Sequence, residues 1–441
     1  MSGSLVVRAR RVVLPDGERP AAVHVADGVV TTVTGFDDAG PEPVTLADDE
    51  VLLPGLVDSH VHVNEPGRTE WEGFASATRA AAAGGITTIV DMPLNSIPPT
   101  VDVEALHVKR AAAGGQVSVD VAFWGGAVPG NAGQLQRLLA AGAVGVKCFL
   151  LDSGVPEFPP LDDEGLRAAL TELAEVDGLL IAHCEDDGVI AAAPEAGGPS
   201  YAAFLASRPG AAEETAIGRL VAAARATGAR VHVVHLADAG ALPMLRAARA
   251  EGVRITVETC PHYLTFSAEE VPDGDTSFKC CPPIREAAHR EALWAALAAG
   301  DIDLVVSDHS PCTPELKRLD VGDFALAWGG IAGLQVTLPV VWSGARARGL
   351  ALSDVVRWMS AAPAQLTGLT GKGGIEPGRD ADLVAFAPDE RWSVGQLHHR
   401  NPVTPYAGRE LTGVVRRVWL RGQQLTDGTA PLGRLISRGE L

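Results

Sequence analysis

Eight short apolar runs, rich in Val and Ile, recur through the middle of the chain and alternate with Ala- and Leu-rich stretches. They are LVDSHVH (56–62), ITTIVDM (86–92), VSVDVAF (117–123), GVKCFL (145–150), LLIAHCE (179–185), VHVVHL (231–236), RITVETCP (254–261) and DLVVSDH (303–309). Near-continuous apolar runs of this length read as strands buried on both faces, the condition of a parallel sheet covered by helices. The segments between them, such as GLRAALTELAEV and GAAEETAIGRLVAAARATGA, carry helical spacing. This alternation predicts an α/β fold, and eight repeats predict a closed (β/α)8 TIM barrel. A doubly wound open sheet is the alternative. The count of eight, and no G-x-G-x-x-G after the first run, favour the barrel.

The ends of the chain read differently. Residues 5–34 look like strands joined by turns at Pro15-Asp16-Gly17 and Asp27-Gly28, and residues 381–426 hold similar material in ADLVAFAP and GVVRRVWLRGQQL. Two β-rich flanks around a barrel are expected to pair into one small domain, here placed over 1–53 and 372–441, with the barrel over 54–371.

Composition narrows the function. A formal net charge of −19 argues against a nucleic-acid partner or an anionic membrane surface. Six cysteines in 441 residues, without a C-x-x-C pair, do not suggest a disulfide framework. MSGSLVVRARRVV has no apolar leader core, and no run approaches the ~20 apolar residues of a membrane span, so a cytoplasmic location is expected.

Polar residues fall at the C-terminal ends of the apolar runs, the face that carries the active site in such barrels. The first run ends His60-Val61-His62, whose side chains, two apart, face the same way and can reach one metal ion. An H-x-H alone is a weak signal. His183 ends the fifth run, His235 the sixth and Asp308 the eighth, and five such residues on one rim make coincidence a poor account. Alternation turns Cys148 and Cys184 toward the helices as small buried hydrophobes, and places His232, three before His235, on the opposite face. His309 is expected to hydrogen-bond around the site. Cys280-Cys281 reads as structural, since adjacent residues seldom chelate one ion.

Lys147 stands in AVGVKCFLL, where an unpaired ammonium costs several kcal/mol. Only five of the 36 basic residues are lysines, so it is not casual surface filler. Four histidines and an aspartate suffice for two metal ions, and such a site also wants a bridging anion. Desolvation lowers the pKa of a buried lysine, and its neutral amine can add carbon dioxide to become a carbamate, a carboxylate long enough to bridge two ions. A lysine paired with a buried carboxylate is the competing reading.

The order HxH, Lys, His, His, Asp resembles the amidohydrolase superfamily in its cyclic-amidase branch, and within it the allantoinase family. The stretches that carry the resemblance are DSHVHVNEPGRTEWEGF, DMPLNSIPPT, GVKCFL, AHCE, ETCPHY, KCCPPIR, SDHSPC and WGGIAGLQ, spread from about residue 5 to about residue 425. The resemblance implies a zinc-type dinuclear centre, with His60, His62 and Asp308 on one ion, His183 and His235 on the other, and Lys147 bridging as N6-carboxylysine. It also implies a small β-sandwich from both termini, a homotetramer, and opening of the hydantoin ring of allantoin to allantoate in purine breakdown. Asp308 would be the catalytic proton shuttle, and Asn95, Cys281 and Gly330 would grip the substrate.

Relatives in the branch differ on chemistry. Dihydroorotases typically place an arginine two positions after the H-x-H to hold a carboxylate, where this chain has Asn64. Hydantoinases and dihydropyrimidinases usually carry a tyrosine shortly after the bridging lysine, where this chain runs Phe149-Leu150-Leu151-Asp152-Ser153. Related enzymes often have Ser at Cys281. Another cyclic amidase is therefore the main rival reading. A non-catalytic scaffold is disfavoured because all six ligand positions are filled.

Overall fold

The computed structural model describes residues 4–40, 42–426, 428 and 430–439. The eight apolar runs form eight parallel strands: β1 (Leu56–Val61), β2 (Ile86–Asp91), β3 (Asp120–Phe123, resumed at Gly125–Gly126), β4 (Val146–Phe149), β5 (Leu179–His183), β6 (Arg230–Val233), β7 (Ile255–Thr259) and β8 (Leu304–Val305). Each pairs in parallel with its sequence neighbour. Past the end of β8, His309 bridges Val61 in parallel, and the amide of His62 donates to the His309 carbonyl at 2.8 Å, which closes the ring. The chain is thus a (β/α)8 barrel, as its alternation predicts.

Strands β1, β2, β4 and β5 are buried along their whole length, which explains why they lack a polar face. The helices between them start where their sequences allow. Asp162, for instance, caps Asp163–Ala174 by accepting from the amide of Gly165, and the helix buries Leu166, Leu170 and Leu173.

Both ends of the chain meet in one eight-stranded sheet, the form taken here by the small β-sandwich. In spatial order it runs Gln423–Leu425, Glu410–Leu420, Leu383–Ser393, Val51–Pro54, Leu5–Leu14, Gly17–Ala26 and Val29–Thr34, with Val44–Thr45 added beside Leu5–Leu14. Leu383–Ser393 lies antiparallel to Val51–Pro54, so the C-terminal strands join the N-terminal ones directly. Val7, Val12, Val23, Leu383 and Trp419 contribute to a second apolar cluster there, distinct from the barrel core. Beyond this sheet the tail returns to the barrel, where the amide of Val121 donates to the Arg434 carbonyl.

One buried ion cluster ties barrel to sheet. The Lys372 ammonium lies 2.5 Å from Asp120 of β3, 2.7 Å from Asp380 and 2.8 Å from Asp382, and Arg421 also pairs with Asp120. Removing the central cation leaves carboxylates uncompensated in the interior. Lys372→Met is therefore expected to lower unfolding stability by about 3–5 kcal/mol, read from urea denaturation. A loss under about 1 kcal/mol, the scale of a surface pair, would show that the cluster does not hold the two parts together.

Candidate metal centre at the barrel rim

A cavity of about 280 Å³ opens at the C-terminal ends of the strands. It is lined by His60, His62, Lys147, His183, His235 and Asp308, and also by Asn95, Cys281 and Gly330. All nine residues singled out in the sequence thus reach one space. Asn64 does not line it; that side chain is fully buried and donates to the Pro311 carbonyl at 3.4 Å.

The imidazoles converge. Ring centroids of His60 lie 5.5 Å from those of both His62 and His235, and His183 and His235 are 4.5 Å apart. Asp308 Oδ1 lies 3.1 Å from His60 Nε2 and 3.5 Å from His62 Nε2. Asn95, His235 and Asp308 have positive φ angles of 65°, 41° and 42°. Non-glycine residues seldom adopt this region, and such strain concentrates at functional sites.

Two carboxylates decide which ring nitrogens are free. Glu258 of β7 accepts from His60 Nδ1 at 2.5 Å, and Glu185 accepts from His183 Nε2 at 2.8 Å. A carboxylate in this role requires N–H on the bonded nitrogen, so the opposite nitrogen keeps its lone pair. His60 Nε2 indeed has no hydrogen bond although it is buried, and His235 Nδ1 has none either. Arg208 holds Glu185 in turn, through contacts of 2.9 and 2.6 Å. Sequence reading missed these carboxylates and Arg208. Their signal was present in AHCE and ETCPHY, as acidic residues beside buried strand ends.

His232 departs from strict alternation. Its ring bonds the same Glu258 at 2.9 Å and so points into the barrel under His60, not away from it. The reason is that β6 ends at Val233 and the chain turns at His235, which breaks the two-residue period between them. Its role is nonetheless structural. His309 bonds around the site, with Nε2 3.2 Å from Glu72 and Nδ1 accepting from the Gly333 amide.

Burial pushes the His62 imidazole down to about 4, and lowers His183 and His235 as well. Burial pushes Asp308 up, but His60 and the contact with His62 outweigh it and hold the carboxyl well below its usual range. Neutral imidazoles and an ionised carboxylate are the donor forms a divalent cation needs. With orphaned nitrogens turned inward, and donor atoms of His60, His62 and Asp308 all within 4.8 Å of one another, the residues fit a metal site.

Lys147 is almost fully buried, and burial lowers its pKa. Among the described residues its ammonium makes no ion pair or hydrogen bond; its contact is with the Phe149 ring, 5.0 Å away. The alternative of a lysine paired with a buried carboxylate is not what the structure contains.

The Amidohydrolase family model matches residues 51–425. The chain is 59% identical over 441 residues to the allantoinase of Streptomyces avermitilis, covering 98% of each. It is 44% identical to the allantoinase of Arabidopsis thaliana, covering 94% of this chain and 87% of that one. Among solved structures, the L-hydantoinase (dihydropyrimidinase) of Arthrobacter aurescens superposes with a TM-score of 0.91 at 30% identity, covering 98% of this chain and 99% of that one.

The depressed histidines carry a sign for stability. Unfolded histidines bind protons from about pH 6.5, whereas folded His62 does so only near 4. Between those values the unfolded state binds more protons, so the metal-free chain is expected to lose stability as pH falls, by up to roughly 1.4 kcal/mol per pH unit for each such group. Urea unfolding of metal-stripped protein at pH 7, 6 and 5 checks this. Stability unchanged over that span would mean the imidazoles titrate normally.

Proposed function

The chain belongs to the amidohydrolase family, and on that premise we propose that it opens the hydantoin ring of allantoin to give allantoate, a step of purine breakdown. It is a hydrolase of C–N bonds in cyclic amides. The observation that carries this reading is similarity over nearly the whole chain, at 59% and 44% identity, to allantoinases of bacterial and plant origin. The missing carboxylate-binding arginine at Asn64, and the missing tyrosine after Lys147, support it against the rival cyclic amidases.

In this reading His60, His62 and Asp308 would hold one ion and His183 and His235 the other, with Lys147, as N6-carboxylysine, as the shared anionic ligand. Bound there, two divalent ions, zinc by our inference, supply positive charge that polarises the scissile carbonyl and makes water acidic enough to attack at neutral pH. The residues do the rest. Asp308 accepts a proton from the attacking water and returns it to the departing ring nitrogen as the C–N bond breaks. Ser310 donates to Asp308 Oδ1 at 2.9 Å and fixes which oxygen faces the substrate. Glu258 and Glu185 keep His60 and His183 in the tautomers that present a lone pair. Asn95 and the backbone at Cys281 and Gly330 grip the ring and ureido amides.

The Lys147 carbamate forms when the neutral amine adds carbon dioxide and releases one proton. Its negative charge would offset the mutual repulsion of two divalent cations held in one site. The unpaired state of the buried ammonium supports this assignment. The division into a small domain over 1–53 and 372–441 and a barrel over 54–371 belongs to the same proposal, as do homotetrameric assembly and a cytoplasmic location. No helix among the described residues is long and apolar enough to cross a membrane.

Steady-state assay against allantoin, hydantoin, dihydrouracil and dihydroorotate tests the substrate. Allantoin is expected to give the highest kcat/KM, and a higher value for any other ring would overturn the assignment. Lys147→Ala is expected to lose metal and activity together, with partial return of both on adding short carboxylic acids that can occupy the vacated space. Lys147→Arg should fail, because a guanidinium stays protonated and cannot take up carbon dioxide. Full metal content and activity in either variant would rule the bridge out.

A further inference from the structure

Residues 279–281 and residues 327–330 form one wall of the cavity. At Gly330 φ is 133°, and a Cβ would stand 2.3 Å from the Ser310 carbonyl, so no side chain can cover the backbone there. Two direct hydrogen bonds join the segments among the described residues: the Gly330 amide donates to the Lys279 carbonyl at 2.8 Å, and Lys279 Nζ donates to the Ala327 carbonyl at 2.5 Å.

Behind this wall lies Lys317, the last residue of the short helix Pro314–Lys317. It is 2% exposed and does not line the cavity. Its ammonium donates to the carbonyls of Lys279 at 3.1 Å, Trp328 at 3.1 Å and Gly330. An ammonium has three N–H donors and no acceptor, and here three carbonyls meet it. All three belong to cavity-lining residues, drawn from both segments. The lysine is itself anchored, since Thr276 Oγ1 donates to its carbonyl. No carboxylate pairs with it among the described residues, so its charge is spent entirely on the wall's peptide dipoles.

We propose that Lys317 is a positioning residue for substrate: it locks the two backbone segments at the spacing from which their amides and carbonyls meet the ring. This deepens the functional reading above and rests on it. A wall that grips the ring equally in ground and transition state affects KM more than kcat.

The test is Lys317→Met, which keeps the stem and removes every donor. Lys317→Gln, which retains two N–H donors, is run beside it because the Met variant takes the ammonium donor from the Trp328 and Gly330 carbonyls, while the Lys279 carbonyl keeps the Gly330 amide. Both are assayed in the metal-loaded enzyme, with metal content and melting temperature measured in parallel. KM is expected to rise about tenfold or more in the Met variant, the change that 1.4 kcal/mol of lost binding produces. A smaller rise is expected in the Gln variant, with kcat and metal content changing less than KM in both. An unchanged KM, a loss confined to kcat with loss of metal, or failure of both variants to fold would each overturn the proposal. Wild-type turnover of allantoin tests the substrate assignment on its own. The KM ratio is read on whichever cyclic amide the wild type opens best, so either conclusion can fail without the other.

Discussion

A buried ammonium must be compensated, and that constraint runs through the whole molecule. All five lysines of the chain are buried. Four are satisfied by what surrounds them. Lys109 meets Asp91 at 2.7 Å, Lys372 meets three aspartates, Lys317 meets three carbonyls and Lys279 donates to the carbonyls of Ala325 and Ala327. Desolvation of a lone charge costs several kcal/mol, and each arrangement returns part of it. Lys147 is the exception: among the described residues its ammonium makes no ion pair or hydrogen bond and lies against the Phe149 ring, and burial lowers its pKa. A group placed so is poised to exist as the neutral amine, the form able to react with carbon dioxide.

The same logic orders the carboxylates. Glu258 reaches His60 and His232 together, and Glu185 lies between His183 and Arg208. Burial pushes both glutamates up, but their cationic and N–H partners prevail and hold each near 2. Permanently ionised, they act as fixed acceptors that orient the rings. The site is therefore built in two layers: a rim of donors, and beneath it a set of charges that fix how those donors point.

Much of this is legible in the sequence. Buried parallel strands leave continuous Val- and Ile-rich runs, and eight of them give the barrel its count. Polar residues at the ends of those runs mark the rim, because a barrel interior tolerates them nowhere else without partners. The two β-rich flanks predicted one shared small domain, and Leu383–Ser393 beside Val51–Pro54 is how they join. Period-two alternation succeeded inside a strand, as for Cys148 within β4, and failed between His232 and His235, because β6 ends at Val233.

What the sequence by itself determined is the order of strands and the chemistry available at their ends, since both follow from local hydrophobic period and residue type. Only the tertiary structure decided which groups meet. Glu258 lies 198 residues from His60, and Lys317 supports carbonyls 38 residues before it and 13 after it. No local pattern encodes such pairings, because they arise when barrel closure brings distant strand ends and loops around one cavity. There, the cost of leaving any charge or lone pair unmatched selects the partners.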